Sequence, residues 1–360
     1  MLDRRAHTAP VAAGPARTRA RIGFSLLLAV LAAALVFSAA AGVAIGSADL
    51  SLGTVARALA GRLHLGGDVD TLTEHIVVDM RLPRVLAAAA VGAGLALSGA
   101  VLQSLTGNVL ADPYILGMSG GASLGAVIVL TTGVGSIGLL ALSAVSTAAF
   151  AGGLIALLLV FAIATSRTGA LVPGRLILAG VAVGQLAAAV TSALIYFADH
   201  NAAGRVLRWT LGSVAGVRWS GLWLLLGGVA VTTVVVLSYA RTLDAFSFGE
   251  RAAMGLGTDV VRTRWILYTV VSLCTALLVA QAGIIGFVGL VVPHAVRLII
   301  GPLHARLLPI VALVGALLLV WADIAARSVL ADRELPLGLV TALVGVPAFI
   351  WLLRRQGARS

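Results

Sequence analysis

Runs of about twenty apolar residues, each long enough to cross a bilayer as a helix, recur from Phe24 to Leu353. Nothing constrains the chain more. In hydrocarbon every backbone amide must find its partner inside the protein, so such runs can persist only as membrane helices. They fall at 24–44, 83–105, 115–131, 138–164, 175–198, 220–240, 264–281, 284–300, 307–327 and 336–353. The expected fold class is an all-α polytopic membrane protein with about ten transmembrane helices. With 60% hydrophobic and 11% charged residues, the chain is far from a soluble domain, which is nearer half apolar and a quarter charged. A cleaved leader is the rival reading of 24–44, because small residues follow at Ser38 to Gly42. The run exceeds the roughly 7–15 residues of a leader's apolar core, which favours an uncleaved first span.

Charge orients the bundle. With the N-terminus inside and ten spans, the inner segments hold sixteen arginines and five acids, and the outer segments nine of each. The whole excess of +11 then lies on one side, as the positive-inside rule asks, with both termini cytoplasmic. Residues 1–21, rich in Arg, Pro and Ala, read as a disordered cytoplasmic tail. Residues 22–355 form a single transmembrane domain, and 356–360 a second tail. Asp49 to Arg81 is a polar outer segment with a short amphipathic piece at Leu52 to Leu63.

All 25 basic residues are arginine. A phosphate-binding GxxxxGK[ST] loop needs its lysine, so the chain cannot hold an ordinary ATP-hydrolysing domain, nor a Schiff-base lysine. Cys274 is the single cysteine, which excludes an intrachain disulfide. The six histidines form no HxH or HxxxH pair, and no metal site is expected. No HExxH, GxSxG or carboxylate pair supports an intramembrane enzyme. An ion-driven carrier would need intramembrane acids, and Asp323 is the one deeply placed candidate. Gly117-x3-Gly121-x3-Gly125, Gly180-x3-Gly184 and Gly94-x3-Ser98 let helix backbones approach closely in lipid. Gly283, Gly286 and Gly289, followed by Pro293, interrupt an apolar run and predict a broken or short helix lining a cavity.

One charged stretch, Leu243 to Arg264, stands between two long apolar runs. Ser247 and Glu250 have the S-x-x-E spacing of a capping box. Ala252 to Met254 propagate a helix, and Gly255 and Gly257 can end it. A short helix in a cytoplasmic loop is expected, preformed and rigid; a solvated loop with no partner is the plain alternative.

Gly92 to Ala122, GAGLALSGAVLQSLTGNVLADPYILGMSGGA, resembles the permease subunits of ABC importers for ferric siderophores, haem and cobalamin, the FecCD family. So do Gly283 to Arg297, the ELPLG motif, the closing VGVPAFIWLLRR, RLPR at 81–84 and LAGVAVG at 178–184. The ordered motifs run from about residue 75 to 355. The resemblance implies a cobalamin-importer-permease-like protomer of two related halves, paired with a second permease subunit, identical or homologous. Two ATPase subunits would drive it, and an extracytoplasmic binding protein would deliver substrate. The chain itself would bind no cofactor, since ATP and Mg belong to the ATPase subunits. An iron–siderophore complex is the expected substrate, with haem or cobalamin as alternatives.

The resemblance also implies roles for residues. Arg81, Arg84 and Arg327, at the outer ends of the second and ninth spans, would dock acidic residues of the binding protein, since exposed guanidiniums offer oriented contacts to carboxylates. Interfacial snorkelling is the plain alternative, and Arg327 can instead pair with Asp323 at i, i+4. GERAAMGLG resembles the ATPase-contacting segment, with Ser247, Glu250, Arg251, Ala253, Gly255 and Gly257 as coupling residues. Glu250, Ala253 and Gly257 would make the main contacts. A cytoplasmic gate is placed at Asn108 and Leu110, with Pro173 and Gly174 as its second half; the family's usual Asn-Pro-Leu-Ala reads Asn-Val-Leu-Ala here. Gly117, Ser119, Gly286, Gly289 and Pro293 are the expected pathway residues. Gln103, Gln185 and Gln281 read as interhelical hydrogen-bond glue, His294 as a cap or interfacial contact, and Trp209 and Trp219 as interfacial anchors.

Overall fold

A computed structural model describes residues 15–46, 50–62, 66, 69–133, 140–330 and 333–357. The described residues are helical almost throughout. In chain order the helices are α1 (Pro15–Ala44), α2 (Leu52–Arg62), α3 (Thr71–His75), α4 (Leu82–Thr106), α5 (Met118–Thr132), α6 (Leu140–Ala164), α7 (Pro173–Phe197) and α8 (His200–Thr210). Then come α9 (Trp219–Ser238), α10 (Ala240–Phe246), α11 (Glu250–Gly255), α12 (Val260–Ala282), α13 (Val288–Ile300), α14 (His304–Ser328) and α15 (Leu337–Gly357). Eight helices are long and apolar enough to span a bilayer, and α5 and α13 are shorter apolar helices. These ten correspond to the ten apolar runs. Of the expected tail, residues 1–14 lie outside the described set, and from Pro15 the chain is already helix α1. The expected tail at 356–360 likewise begins inside α15, and 358–360 lie outside the described set.

The second span is longer than the apolar run. Helix continues from Thr71 to Thr106, with a π-helical stretch at Ile76–Arg81 between α3 and α4. Pro83 brings no amide, and its ring crowds the carbonyl four residues back; the turns ahead of it widen in response. The short elements are equally local in origin. Gly107, at φ 62°, closes α4. A 3-10 turn, Pro113–Leu116, leads through Gly117 at φ 75° into α5. Gly283, at φ 71°, ends α12, and an extended stretch to Phe287 precedes α13. The glycine-interrupted run is thus broken, as its sequence predicts. Phe287, at φ 68°, is the one non-glycine with positive φ among the described residues. That conformation costs an L-residue about 1–2 kcal/mol, so its surroundings must hold it.

The core is built on α4, which is apolar on every side and buried on nearly every side. It packs against α14, α13, α9 and α12. Two crossings bring backbone onto backbone: Gly92 of α4 faces Gly315 of α14, and Gly99 faces Gly289 of α13. Gly121 and Gly152 do the same for α5 and α6. Without a hydrophobic drive between helices in lipid, such close approach supplies the dispersion contacts that hold them together. By contrast α1 exposes Leu26, Val30, Val36 and Phe37, and α7 exposes Leu178, Leu186, Tyr196 and Phe197.

Candidate functional site

A cavity of about 420 Å³ lies between α5, α7 and the 3-10 turn ahead of α5. Gly180, Gly184 and Ala188 form one stripe of α7 along it, and Gly180 lets the helix backbone pack directly on Ile115 and Gly117. Its polar lining is Tyr114, Ser119, Ser123, Gln185, Thr191 and Ser192, and no lining side chain is charged. Two expected pathway residues, Gly117 and Ser119, do line this cavity. Three do not. Gly289 is packed against Gly99, Leu95 and Pro113, Pro293 is buried in α13, and Gly286 is not part of the lining. The glycines of the broken run serve helix crossing and the chain break, which the same sequence pattern would also produce. Gln103 bonds across helices, to Leu290 O at 3.1 Å, whereas Gln185 faces the cavity. Tyr114 Oη donates to Ile285 O at 3.0 Å and accepts from Ile285 N at 3.1 Å, tying the 3-10 turn to the break before α13.

The segment expected to gate the pathway is a chain of local caps. Asn108 Oδ1 accepts from Leu110 N at 2.9 Å, and Asp112 Oδ1 from Tyr114 N at 2.8 Å. Burial pushes the Asp112 carboxyl up to about 6, against the pull of the Tyr114 amide. Leu176 and Ile177, in the first turn of α7 after Pro173 and Gly174, sit beside Ala111, Asp112 and Leu116 around a small void. His294 is no cap: it is buried within α13, with Nε2 unpartnered.

At one end of the α4–α14 pair the three arginines expected to project outward are engaged within the protein. Arg81 is only 7% exposed and donates to Val43 O and Ala44 O at 3.0 and 2.9 Å. Arg327 donates to Gly42 O and lies 3.5 Å from Asp323. These carbonyls end α1, where they lack helical partners and carry the negative end of the dipole; two guanidiniums satisfy both needs. Arg84 bonds both oxygens of Asp323, at 3.0 and 3.1 Å, and Glu334 at 2.9 Å. The intrahelical Asp323–Arg327 pair therefore exists, but Asp323 holds Arg84 more closely. The expectation of exposed guanidiniums is corrected: of the cage's side chains Glu334, half exposed, is the one that faces solvent most freely. Trp219 does more than anchor, since its Nε1 donates to Val78 O at 3.1 Å.

At the other end lies the charged loop. The short helix is present as α11, but without the capping box. Its N-cap is Gly249, at φ 91°, with no side-chain cap bond. Ser247 still belongs to the turn closing α10, its amide bonding Asp244 O. Glu250 consequently falls at the first helical position, too early to reach back, and pairs with Arg264 at 3.0 Å. Ala253 is fully buried and so is not a contact on the outer face. The outer face carries Arg251, Phe248 (77% exposed), Met254 and Leu256 (70%). Three large apolar side chains in the open, Met254 on α11 and Phe248 and Leu256 just beyond its two ends, make a surface suited to a protein partner. Their signal was available in the sequence as apolar residues inside a charged loop. Gly255 and Gly257 have open space around them, and Gly257 turns the chain at φ 82°.

Similarity to known proteins bears on all of these regions. A sequence model of the FecCD transport family matches residues 26–355. The vitamin B12 import system permease BtuC of Vibrio cholerae is 46% identical over 79% of this chain and 85% of its own length. The hemin transport system permease HmuU of Yersinia pestis is 36% identical over 95% and 98%. The iron(3+)-hydroxamate import system permease FhuB of Bacillus subtilis is 37% identical over 87% and 79%. A solved inward-facing structure of a metal-chelate type ABC transporter superposes with a TM-score of 0.79 at 32% identity, covering 92% of this chain and 99% of that one. A multi-pass helical bundle with these similarities along nearly its whole length belongs to the FecCD transport family, as the membrane permease of an ABC importer and not an enzyme.

Proposed function

We propose that this permease carries a corrinoid-class metal chelate across the cell membrane, with both its termini in the cytoplasm. The observation behind this reading is the cavity between α5 and α7, lined by hydroxyls, an amide, bare backbone and the apolar side chains of Ile115, Val181 and Ile284, with no charge. Such a wall gives a bulky polar chelate weak, replaceable hydrogen bonds and no ion pair to trap it. The 46% identity to a B12 permease favours the corrinoid over other chelates. An iron–hydroxamate complex is the second reading, favoured by the 37% relative. A second permease subunit would close the exposed side of the cavity, and a binding protein would deliver substrate at the arginine cage. ATPase subunits, holding ATP and Mg, would grip α11 through Phe248, Met254 and Leu256. Transport then follows from a difference in ATPase-state affinity between two permease conformations.

Reconstitution with its cognate ATPase and binding-protein subunits tests the substrate. ATP-dependent uptake of cyanocobalamin, with little of ferric hydroxamate or haemin, is expected. Uptake of ferric hydroxamate alone would establish the second reading. Uptake on an ion gradient with no ATPase present would overturn both.

The cage yields a separate prediction. A docking carboxylate must replace Glu334 at Arg84, so Glu334→Gln should tighten binding-protein association. An exposed pair is worth about 0.2–1 kcal/mol, which sets the gain at up to about fivefold. Binding-protein titration onto permease in nanodiscs measures it, and a weakened association would remove the docking role from Arg84.

A further inference from the structure

Asp244, His304 and Ser104 form a continuous hydrogen-bonded chain that no transport role yet accounts for. A single carboxylate oxygen, Asp244 Oδ1, accepts from the His304 backbone amide at 2.8 Å and contacts the ring Nδ1 at 2.7 Å. Asp244 lies in α10 and thereby caps α14 from another helix. On its other side the His304 ring meets Ser104 Oγ at 2.6 Å through Nε2. Ser104 is in the last turn of α4, and its hydroxyl also bonds Ala100 O at 2.9 Å. Arg297 of α13 reaches Ser104 Oγ at 3.4 Å and Gln103 Oε1 at 3.0 Å. Gln103 O in turn accepts from Asn108 N at 3.2 Å, where the segment expected to gate the pathway begins.

Asp, His and Ser in this order match a hydrolytic triad, but the site cannot act as one. The serine sits inside a helix whose amides are already bonded, so no backbone pair is available to hold an oxyanion. His304 is 1% exposed and its ring admits no substrate. What the chain does have is connectivity. It starts on α10, whose last turn carries Asp244 and Ser247 straight into α11. It ends one turn before Asn108. The ring joins three helices, α10, α14 and α4, and Arg297 adds α13.

We infer that Asp244, His304 and Ser104 are positioning residues that carry displacement of the α10–α11 unit into the gate end of α4. The inference rests on α11 being the ATPase contact. A buried polar network of this kind holds its members in one geometry, because separating them leaves polar groups unpaired. Pulling α10 therefore moves α14 and the end of α4 together instead of slipping past them.

The test uses the reconstituted importer and reads substrate carried per ATP hydrolysed, alongside ATPase co-purification and melting temperature. Asp244→Ala removes both bonds to His304 and should lower the transport-to-hydrolysis ratio about tenfold, the scale of one lost charge-assisted bond. Asp244→Asn keeps an acceptor oxygen and should restore most of the ratio. Ser104→Ala deletes one hydroxyl whose helix is otherwise intact, and should lower the ratio less, without adding to the effect of His304→Gln. An unchanged ratio in Ser104→Ala and Asp244→Ala overturns the relay. A fall in melting temperature and ATPase binding that matches the loss of transport also overturns it, leaving a packing role. Gly255→Trp, which meets open space on an ordinary helical backbone, separates the two claims: normal coupling in that variant shows that the α11 contact is what failed.

Discussion

Gly99→Val is expected to abolish recoverable folded permease. A Cβ at Gly99 would fall inside the carbonyl of Gly289, so the obstacle is the backbone of α13 and not a side chain that can rotate away. Inserting methyls into a tight core ordinarily costs about 1–3 kcal/mol by shifting side chains. Here α4 would have to separate from α13, and α13 also carries Arg297 and the break that Tyr114 clamps. Gly92 against Gly315 makes the same demand on α14. Fluorescence-detected size exclusion of detergent extracts reads the outcome: loss of the monodisperse peak for Gly99→Val, and retention for Gly255→Ala, which meets open space. A monodisperse, thermally unchanged Gly99→Val protein would mean that α4 and α13 do not cross where the structure has them.

The second large effect is expected at Asp323. Its side chain is 2% exposed and lies between Arg84 and Arg327, whose guanidiniums are themselves mostly buried. Asp323→Ala leaves two like charges facing each other with one exposed acid, Glu334, to share. Breaking a buried pair from one side costs about 3–5 kcal/mol, because the remaining charge stays desolvated. A lowered melting temperature and loss of the α1 contact at Gly42 to Ala44 should follow. Removing the charge on the other side as well, in Asp323→Ala with Arg84→Met, should recover part of the stability; a double variant as damaged as the single one would place the loss elsewhere. Reversing Arg81 to Glu is a poor probe of docking for the same reason, since a buried carboxylate would face the carbonyl ends of α1.

Different parts of this protein were legible to different degrees. The ten apolar runs and the break after Gly283 could be read directly, because each follows from local chemistry: apolar length, missing amides, glycine at positive φ. The amphipathic piece at Leu52 is there as α2 for the same reason. Ser247 and Glu250 show where local reading failed. Their spacing suits a capping box, but Phe246 and Ala253 are buried, which sets where α10 ends and how α11 faces, and Glu250 pairs with Arg264 instead. The arginines failed similarly. A guanidinium at a span end reads as exposed until the carbonyls of another helix are known to stop beside it.

What the sequence determined alone is set mostly within about one turn of the chain: which segments are long and apolar enough to cross the membrane, where they break, and, through the absence of lysine, that the chain holds no ordinary ATP-hydrolysing domain. The tertiary structure decided which groups meet. Asp244 and His304 are sixty residues apart, and Arg84 and Asp323 are 239 apart. Polar groups inside a membrane protein must find partners, but the partner is chosen by which helix packs alongside, and those choices are made at Gly92, Gly99, Gly289 and Gly315. A glycine stripe announces a close crossing without naming the helix that will fill it.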